Sequence, residues 1–140
     1  MASGNKMDWA GTQAPSLADV ERLAADAWLR LPQEFRDMCG DVVIQVEDFP
    51  SDDVVQAMKV DSPFDLMGLF QGVSLDRKSV MDPVGFPNMV YLYRRPMLDY
   101  WAEHHETLGK VVTHVLVHEI GHHFGLSDAD MQHIEARAGD

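Results

Sequence analysis

The segment VVTHVLVHEIGHHFGLSDADM, residues Val111–Met131, contains four of the seven histidines in the chain. Apolar residues recur at helical spacing in this region, which predicts a helix from Thr107 to Phe124. His118 and His122 are four residues apart, so their side chains lie on one face of that helix, one turn apart. Two imidazoles in this arrangement can bind the same metal ion.

Glu119 completes the pattern H-E-x-x-H. Its side chain points about 100° away from the two histidines, because successive residues of a helix are rotated by that angle. The carboxylate is therefore kept off the metal but close to a water molecule beside it. In this pattern the histidines bind zinc and the glutamate acts as a general base. The sequence predicts one Zn²⁺ ion as the cofactor and Glu119 as the catalytic group.

A third ligand requires the chain to turn back sharply after the helix. Gly125 suits that turn, because a residue without Cβ adopts the left-handed conformation at the least cost. Asp128 then follows within three residues, and the pattern becomes H-E-x-x-H-x-x-G-x-x-D. A carboxylate oxygen can complete a zinc site. The predicted metal ligands are therefore His118, His122 and Asp128.

The residues leave alternatives for the third ligand. Asp128 could instead only favour the first turn of the last helix, where acids are stabilising. Glu135, His123 and His133 are then the competing ligands. His114 lies in the same helical stripe, but no Glu follows it and no Gly turn suits it, so we expect it at the surface or beside the ligands.

The rest of the chain predicts an α+β fold, because strands are grouped upstream of helices. Ser16 is expected to cap the first helix and Ser127 the last, which runs to about Ala138. Between the first helix and the Thr107–Phe124 helix, the predicted elements are helices in PQEFRDMCG, PSDDVVQAM and PMLDYWAEHHE, strands in DVVIQVED, LMGLFQGVSL and NMVYLYR, and a loop in DRKSVMDPVGFPN. Pro96 is expected to open the helix that contains it.

The motif HEIGHHFGLSD resembles that of the zincins. The blocks LPQEFRD, VEDFPSDD, LMGLFQG, YLYRRP and VVTHVLVHEIGHHFGLSDADM resemble, in order, the minimal zincin-like metallopeptidase family. The resemblance implies a minimal zincin fold, with a small twisted mixed β-sheet packed against helices that include the active-site helix. By the family pattern, His118, His122 and Asp128 would bind zinc and Glu119 would be catalytic.

Composition limits the class of protein. The chain has 140 residues, which suits one domain, predicted over residues 16–140 after a disordered leader over residues 1–15. A formal net charge of -12 argues against nucleic-acid and membrane partners. The single Cys39 excludes an intramolecular disulfide and favours a cytoplasmic location. No apolar run approaches the ~20 residues of a membrane span.

Two functions are compatible with these residues. The first is a zinc-dependent metallopeptidase that cleaves peptides or flexible protein segments. The second is a catalytically weak or inactive zinc-containing module that binds an extended peptide or a protein partner. Glu119 favours the enzyme, since a structural zinc site has no use for a general base. An extended peptide is expected to pair with an edge strand in GLFQG. Candidates for stabilising the oxyanion are Tyr91, Tyr93, Arg94, Arg95 and His133.

Overall fold

The computed structural model describes residues 8–72 and 88–139 of the chain. In these residues the elements follow in the order α1 (Leu17–Arg30), α2 (Gln33–Cys39), β1 (Val42–Glu47), α3 (Asp52–Met58), β2 (Gly68–Gln71), β3 (Asn88–Tyr93), α4 (Arg94–Glu103), α5 (Leu108–His123) and α6 (Asp128–Ala138). Single turns of 3-10 helix lie at Trp9–Gly11 and Pro63–Asp65. The predicted α+β class is confirmed.

Helix α1 begins where the sequence predicts. The Ser16 hydroxyl accepts a hydrogen bond from the Asp19 backbone N–H at 3.1 Å, and the Asp19 carboxylate accepts one from the Ser16 N–H at 2.9 Å. This reciprocal capping box satisfies two of the N–H groups that a helix start leaves without partners. The side chains of Val20, Ala24 and Ala27 are then buried along one face of the helix.

The three strands form a mixed sheet in the order β1-β3-β2. Strand β1 runs parallel to β3 from Val42↔Asn88 to Glu47↔Tyr93. Strand β2 runs antiparallel to β3 from Gly68↔Leu92 to Gln71↔Met89. Strand β2 is consequently an edge of the sheet in the described part of the chain. Pairing of an extended peptide with GLFQG requires such an edge position.

Helix α5 is the centre of the core. It contacts α1, α4, α6, β2 and β3, so its apolar residues meet other elements on several sides. Its largest fully buried side chains are Val111, Val112, Leu116, Val117 and Ile120. None of the helices in the described part of the chain has the length and apolar character that a bilayer crossing requires.

Helix α4 begins two residues earlier than the sequence predicts. It starts at Arg94 rather than at Pro96, which is the third residue of the helix. The missing N–H of Pro96 costs no intrahelical hydrogen bond there, because the first turn has no carbonyl partners within the helix. The N–H of Arg95 is satisfied by the Asp48 carbonyl at 3.0 Å.

Some sequence predictions fall outside the described residues. The predicted loop spans residues 76–88, of which Asn88 is described and begins β3. The predicted leader, residues 1–15, is described from residue 8, and this part contains the 3-10 turn at Trp9–Gly11. The Pro15 carbonyl accepts a hydrogen bond from Arg94 Nε at 2.6 Å, which joins this segment to the start of α4.

Asn88 connects the end of α2 to the sheet. Its side chain is buried, and Nδ2 donates a hydrogen bond to the Cys39 carbonyl at 2.8 Å. Cys39 is itself buried, and burial raises the pKa of its thiol to about 12, so it behaves as a small core residue. A buried carbonyl that loses its donor is destabilising, because water cannot replace the bond.

We expect Asn88→Ala to lower the free energy of unfolding by about 1–3 kcal/mol, the usual cost of leaving a buried polar group without its partner. Urea unfolding followed by circular dichroism measures this value. The matched control is Gln45→Ala, an exposed amide on the paired strand β1, for which a change within about 0.5 kcal/mol is expected. Equal effects of the two substitutions would contradict the role of the Asn88–Cys39 hydrogen bond.

Candidate metal centre

The turn between α5 and α6 has the hydrogen bonds of a Schellman motif. Gly125 has φ 73°, in the left-handed region predicted for it. The Gly125 N–H donates to the His122 carbonyl at 3.1 Å, and the Leu126 N–H donates to the Gly121 carbonyl at 2.9 Å. Ser127 then caps α6 as predicted, accepting from the Asp130 N–H at 3.1 Å. Helix α6 therefore restarts at once and can return along α5.

Helix α6 packs closely on α5 at Gly121. The Met131 side chain is fully buried, and a Cβ at position 121 would lie 2.5 Å from Met131 Sδ. Farther along the two helices, Glu135 reaches His118 and His114. The contacts move toward the start of α5 as α6 proceeds, so α6 runs back along the helix that precedes it.

One face of α5 carries three histidines at four-residue intervals. The ring centroids of His114 and His118 are 3.9 Å apart, and those of His118 and His122 are 5.6 Å apart. The cleft beside this face is lined by His114, His118, Asp128, Gln132 and Glu135. A histidine stripe on α5 and two carboxylates on α6 thus border the same part of the surface.

Glu135 connects two of these histidines. Its Oε1 lies 2.8 Å from His114 Nδ1, and its Oε2 lies 3.1 Å from His118 Nε2. The side chains of His118 and Glu135 are each 22% exposed, and that of His114 is 46% exposed. Burial lowers the pKa of His118, and His114 lowers it further, while the Glu135 carboxylate acts in the opposite direction. Burial thus favours the neutral imidazole, the form that binds metals.

The predicted ligand set is not the set of side chains that lie closest together. Within residues 8–72 and 88–139, the only group of three potential ligand residues with donor atoms within 4.8 Å of one another is His114, His118 and Glu135. His122 is exposed on the same face of α5. Asp128 is the exposed first residue of α6 and lines the cleft with His118.

Glu119 lies beside the edge strand of the sheet. A Cβ at Gly68 would be 3.1 Å from Glu119 Cγ and 2.7 Å from Val115 Cγ1, so only glycine allows β2 to approach α5 this closely. A glycine inside a strand often marks the close approach of another segment, and such an approach is observed at Gly68. Burial raises the pKa of Glu119 to about 7. The Glu119 side chain is thus half-buried, and its Cγ lies beside β2.

The two other histidines considered as third ligands lie elsewhere. His123 packs on Phe70 of β2, with ring centroids 4.2 Å apart, and its partial burial lowers its pKa. His133 lines a different cleft, together with Phe35 and Met38 of α2. Neither belongs to the close group of ligand residues, so packing accounts for the position of His123.

The candidates for oxyanion stabilisation also differ in their surroundings. Arg94 Nη1 lies 3.1 Å from Asp48 Oδ1, and the Arg95 guanidinium lies over the Phe49 ring, 5.4 Å from its centroid. Tyr93 is buried, and burial, with the nearby Glu47, Tyr91 and Glu119, raises its pKa to about 12. Tyr91 is half-buried on the same strand.

The donor chemistry of this face fits zinc. Imidazole nitrogens and carboxylate oxygens are zinc ligands in proteins, and a catalytic site uses three protein ligands with one position open. His114, His118 and His122 provide nitrogens, and Asp128 and Glu135 provide oxygens. The residues that border the cleft therefore suffice for a zinc site that is open to solvent.

Sequence reasoning gave Glu135 and His114 less weight than the structure does. The useful signal is the spacing on both helices: His114 precedes His118 by four residues, and Glu135 follows Asp128 by seven. Two helices joined by a tight turn bring such positions onto facing surfaces. Spacing alone does not show which of these residues meet, because that depends on the direction in which α6 returns along α5.

Comparison with known families identifies one match. Residues 39–138 match the family model described as zincin-like metallopeptidase. The matched segment begins at the end of α2 and includes the whole sheet, α5 and α6. No curated protein matches the chain at a significant level.

We expect Gly68→Ala to lower the free energy of unfolding by about 1–3 kcal/mol, because its added Cβ forces β2 away from Val115 and Glu119. Chemical denaturation measures the change. Gly109→Ala is the matched control, since its Cβ would meet only Thr107 Oγ1 at 4.0 Å and alanine favours a helix by about 0.5–1 kcal/mol. Destabilisation by both substitutions alike would contradict the close β2–α5 contact.

Proposed function

The chain belongs to the zincin-like metallopeptidase family, and we propose that it is a zinc-dependent peptidase that hydrolyses peptide bonds in peptides or flexible protein segments. In this proposal His118, His122 and Asp128 hold one Zn²⁺ ion, and Glu119 is the general base. The α+β architecture with its small mixed sheet is consistent with a minimal zincin fold.

The contact between Glu119 and the edge strand carries this proposal. Peptide cleavage requires a general base next to a surface that holds the substrate in an extended conformation. Glu119 follows His118 on α5, and Gly68 allows β2 to lie directly against the Glu119 side chain. A peptide paired with β2 would therefore pass close to both the base and the metal ligands.

The chemistry divides between the ion and the chain. When bound, zinc supplies Lewis acidity to a water molecule and to the scissile carbonyl group. Glu119 removes the proton of the attacking water and transfers it to the leaving amine. The backbone of β2 orients the substrate by main-chain hydrogen bonds. Half-burial of Glu119 holds its pKa near 7, which suits a group that must both accept and return a proton near neutral pH.

We expect Glu119→Gln to lower kcat/KM by about 10²–10⁴-fold, the usual contribution of a general base. Zinc content should stay the same, because this substitution removes only the carboxylate beside the ligands. Cleavage of a peptide library and metal analysis of the same samples provide the two measurements. Glu103→Gln, an exposed substitution at the end of α4, is the control and should retain full activity.

The outcomes separate the two functions that the sequence allows. Zinc bound by the wild type and by Glu119→Gln, with no cleavage by either, would reject the peptidase and favour a module that binds an extended peptide. Cleavage by Glu119→Gln at the wild-type rate would reject Glu119 as the base. Absence of zinc from a folded wild-type chain supplied with the ion would reject both functions.

The third ligand has a test of its own. Mutation of a residue that hydrogen-bonds to a metal ligand lowers activity or metal affinity by about 10–100-fold. Loss of a direct ligand should cost at least as much. We therefore expect Asp128→Asn to lower kcat/KM at least about tenfold. Asp26→Asn, the same substitution at an exposed position of α1, should leave kcat/KM unchanged. Full activity of Asp128→Asn would reject Asp128 as the third ligand and favour Glu135.

A further inference from the structure

We propose that His114, His118 and Glu135 form a second metal-binding position. Because this position shares His118 with the proposed catalytic set, a metal ion bound at one position prevents binding at the other. The position takes a borderline divalent cation such as Zn²⁺ or Co²⁺, because its donors are two imidazole nitrogens and one carboxylate oxygen. It does not require that the chain cleave peptides.

The spacing of the donor atoms carries this inference. Ligand atoms around a tetrahedral zinc with bonds of about 2.0–2.1 Å are about 3.3 Å apart. The two contacts of Glu135 with His114 and His118 measure 2.8 and 3.1 Å, and all three donor atoms lie within 4.8 Å of one another. An ion can therefore replace the two hydrogen bonds after a small opening of the group.

The two positions repeat one pattern along the α5–α6 seam. In each, two histidines four residues apart on α5 combine with a carboxylate from α6: His118 and His122 with Asp128, or His114 and His118 with Glu135. Asp128 and Glu135 are seven residues apart, so they lie about two turns apart on one face of α6. Both carboxylates line the same cleft, together with His114 and His118.

Because both metal positions use His118, only one of them can hold an ion at a time. A neutral imidazole has one nitrogen lone pair for metal binding, because its other nitrogen carries the proton. An ion held by His114, His118 and Glu135 therefore removes His118 from His122 and Asp128. The second position stores the ion within the same cleft but outside the catalytic arrangement.

The test separates the positions by removing His122. Metal-free protein is titrated with Co²⁺ and with Zn²⁺, and both stoichiometry and Kd are measured by calorimetry, with the Co²⁺ absorption spectrum as an independent record of ligation. The His122→Asn variant is expected to bind one ion per chain. Adding Glu135→Gln to this variant should weaken binding at least about tenfold, since loss of a mere partner of a ligand costs about 10–100-fold.

The matched control exchanges the other carboxylate. Asp128→Asn in the His122→Asn background should leave Kd within about twofold, since Asp128 lies outside the second position. His114→Asn in that background is a second route to the same loss, at a side chain that is 46% exposed and thus tolerant of change. Circular dichroism verifies the helical content of every variant before titration.

Three results would overturn the second position. The first is a folded His122→Asn variant that binds no ion. The second is a Kd of that variant that stays unchanged when Glu135→Gln or His114→Asn is added, and the third is an Asp128→Asn effect as large as that of Glu135→Gln. None of these results depends on cleavage. Failure of the proposed peptidase activity would instead appear in the Glu119→Gln experiment, so the two failures are distinguishable.

Discussion

Helix α5 must bury one side completely and expose a polar stripe on another, and this constraint organises the rest of the structure. Its buried side chains pack against α1 and the sheet, while the histidines emerge toward α6. Burial of apolar surface supplies the stabilising free energy. The histidine face consequently lies on a helix whose opposite side is packed in the core, and a metal centre requires such support for a constant ligand geometry.

Much of the fold could be predicted from local signals. Ser16, Ser127 and Gly125 mark helix ends through hydrogen bonds made within a few residues, so their roles are readable from the sequence. The start of α4 could not be predicted as well, because Pro96 is equally acceptable at several positions of a first turn. Strand order depends on distant pairing, which local patterns do not encode.

The candidate site shows the same division. The H-E-x-x-H spacing predicts that His118 and His122 share a helix face, and it predicts the neighbouring Glu119. Whether Asp128 or Glu135 is placed to be the third metal ligand depends instead on how α6 returns along α5, which is a tertiary property. The structure brings Glu135 to within hydrogen-bonding distance of His118 and leaves Asp128 at the exposed start of α6. The sequence motif therefore favours Asp128, whereas the position of Glu135 beside His118 is visible only in the structure.

The short turn at Gly125 also bears on how the chain folds. All the proposed ligands lie in the continuous segment from α5 to α6, and the contacts of Glu135 with the histidines span only 17 and 21 residues. The parallel pairing of β1 with β3, by contrast, joins residues 46 positions apart, from Val42 to Asn88. Closing the larger loop costs more conformational entropy and slows folding. The pair of helices α5 and α6, which carries the proposed ligands, is thus a topologically local unit. Its assembly depends less on distant parts of the chain than the assembly of the sheet does.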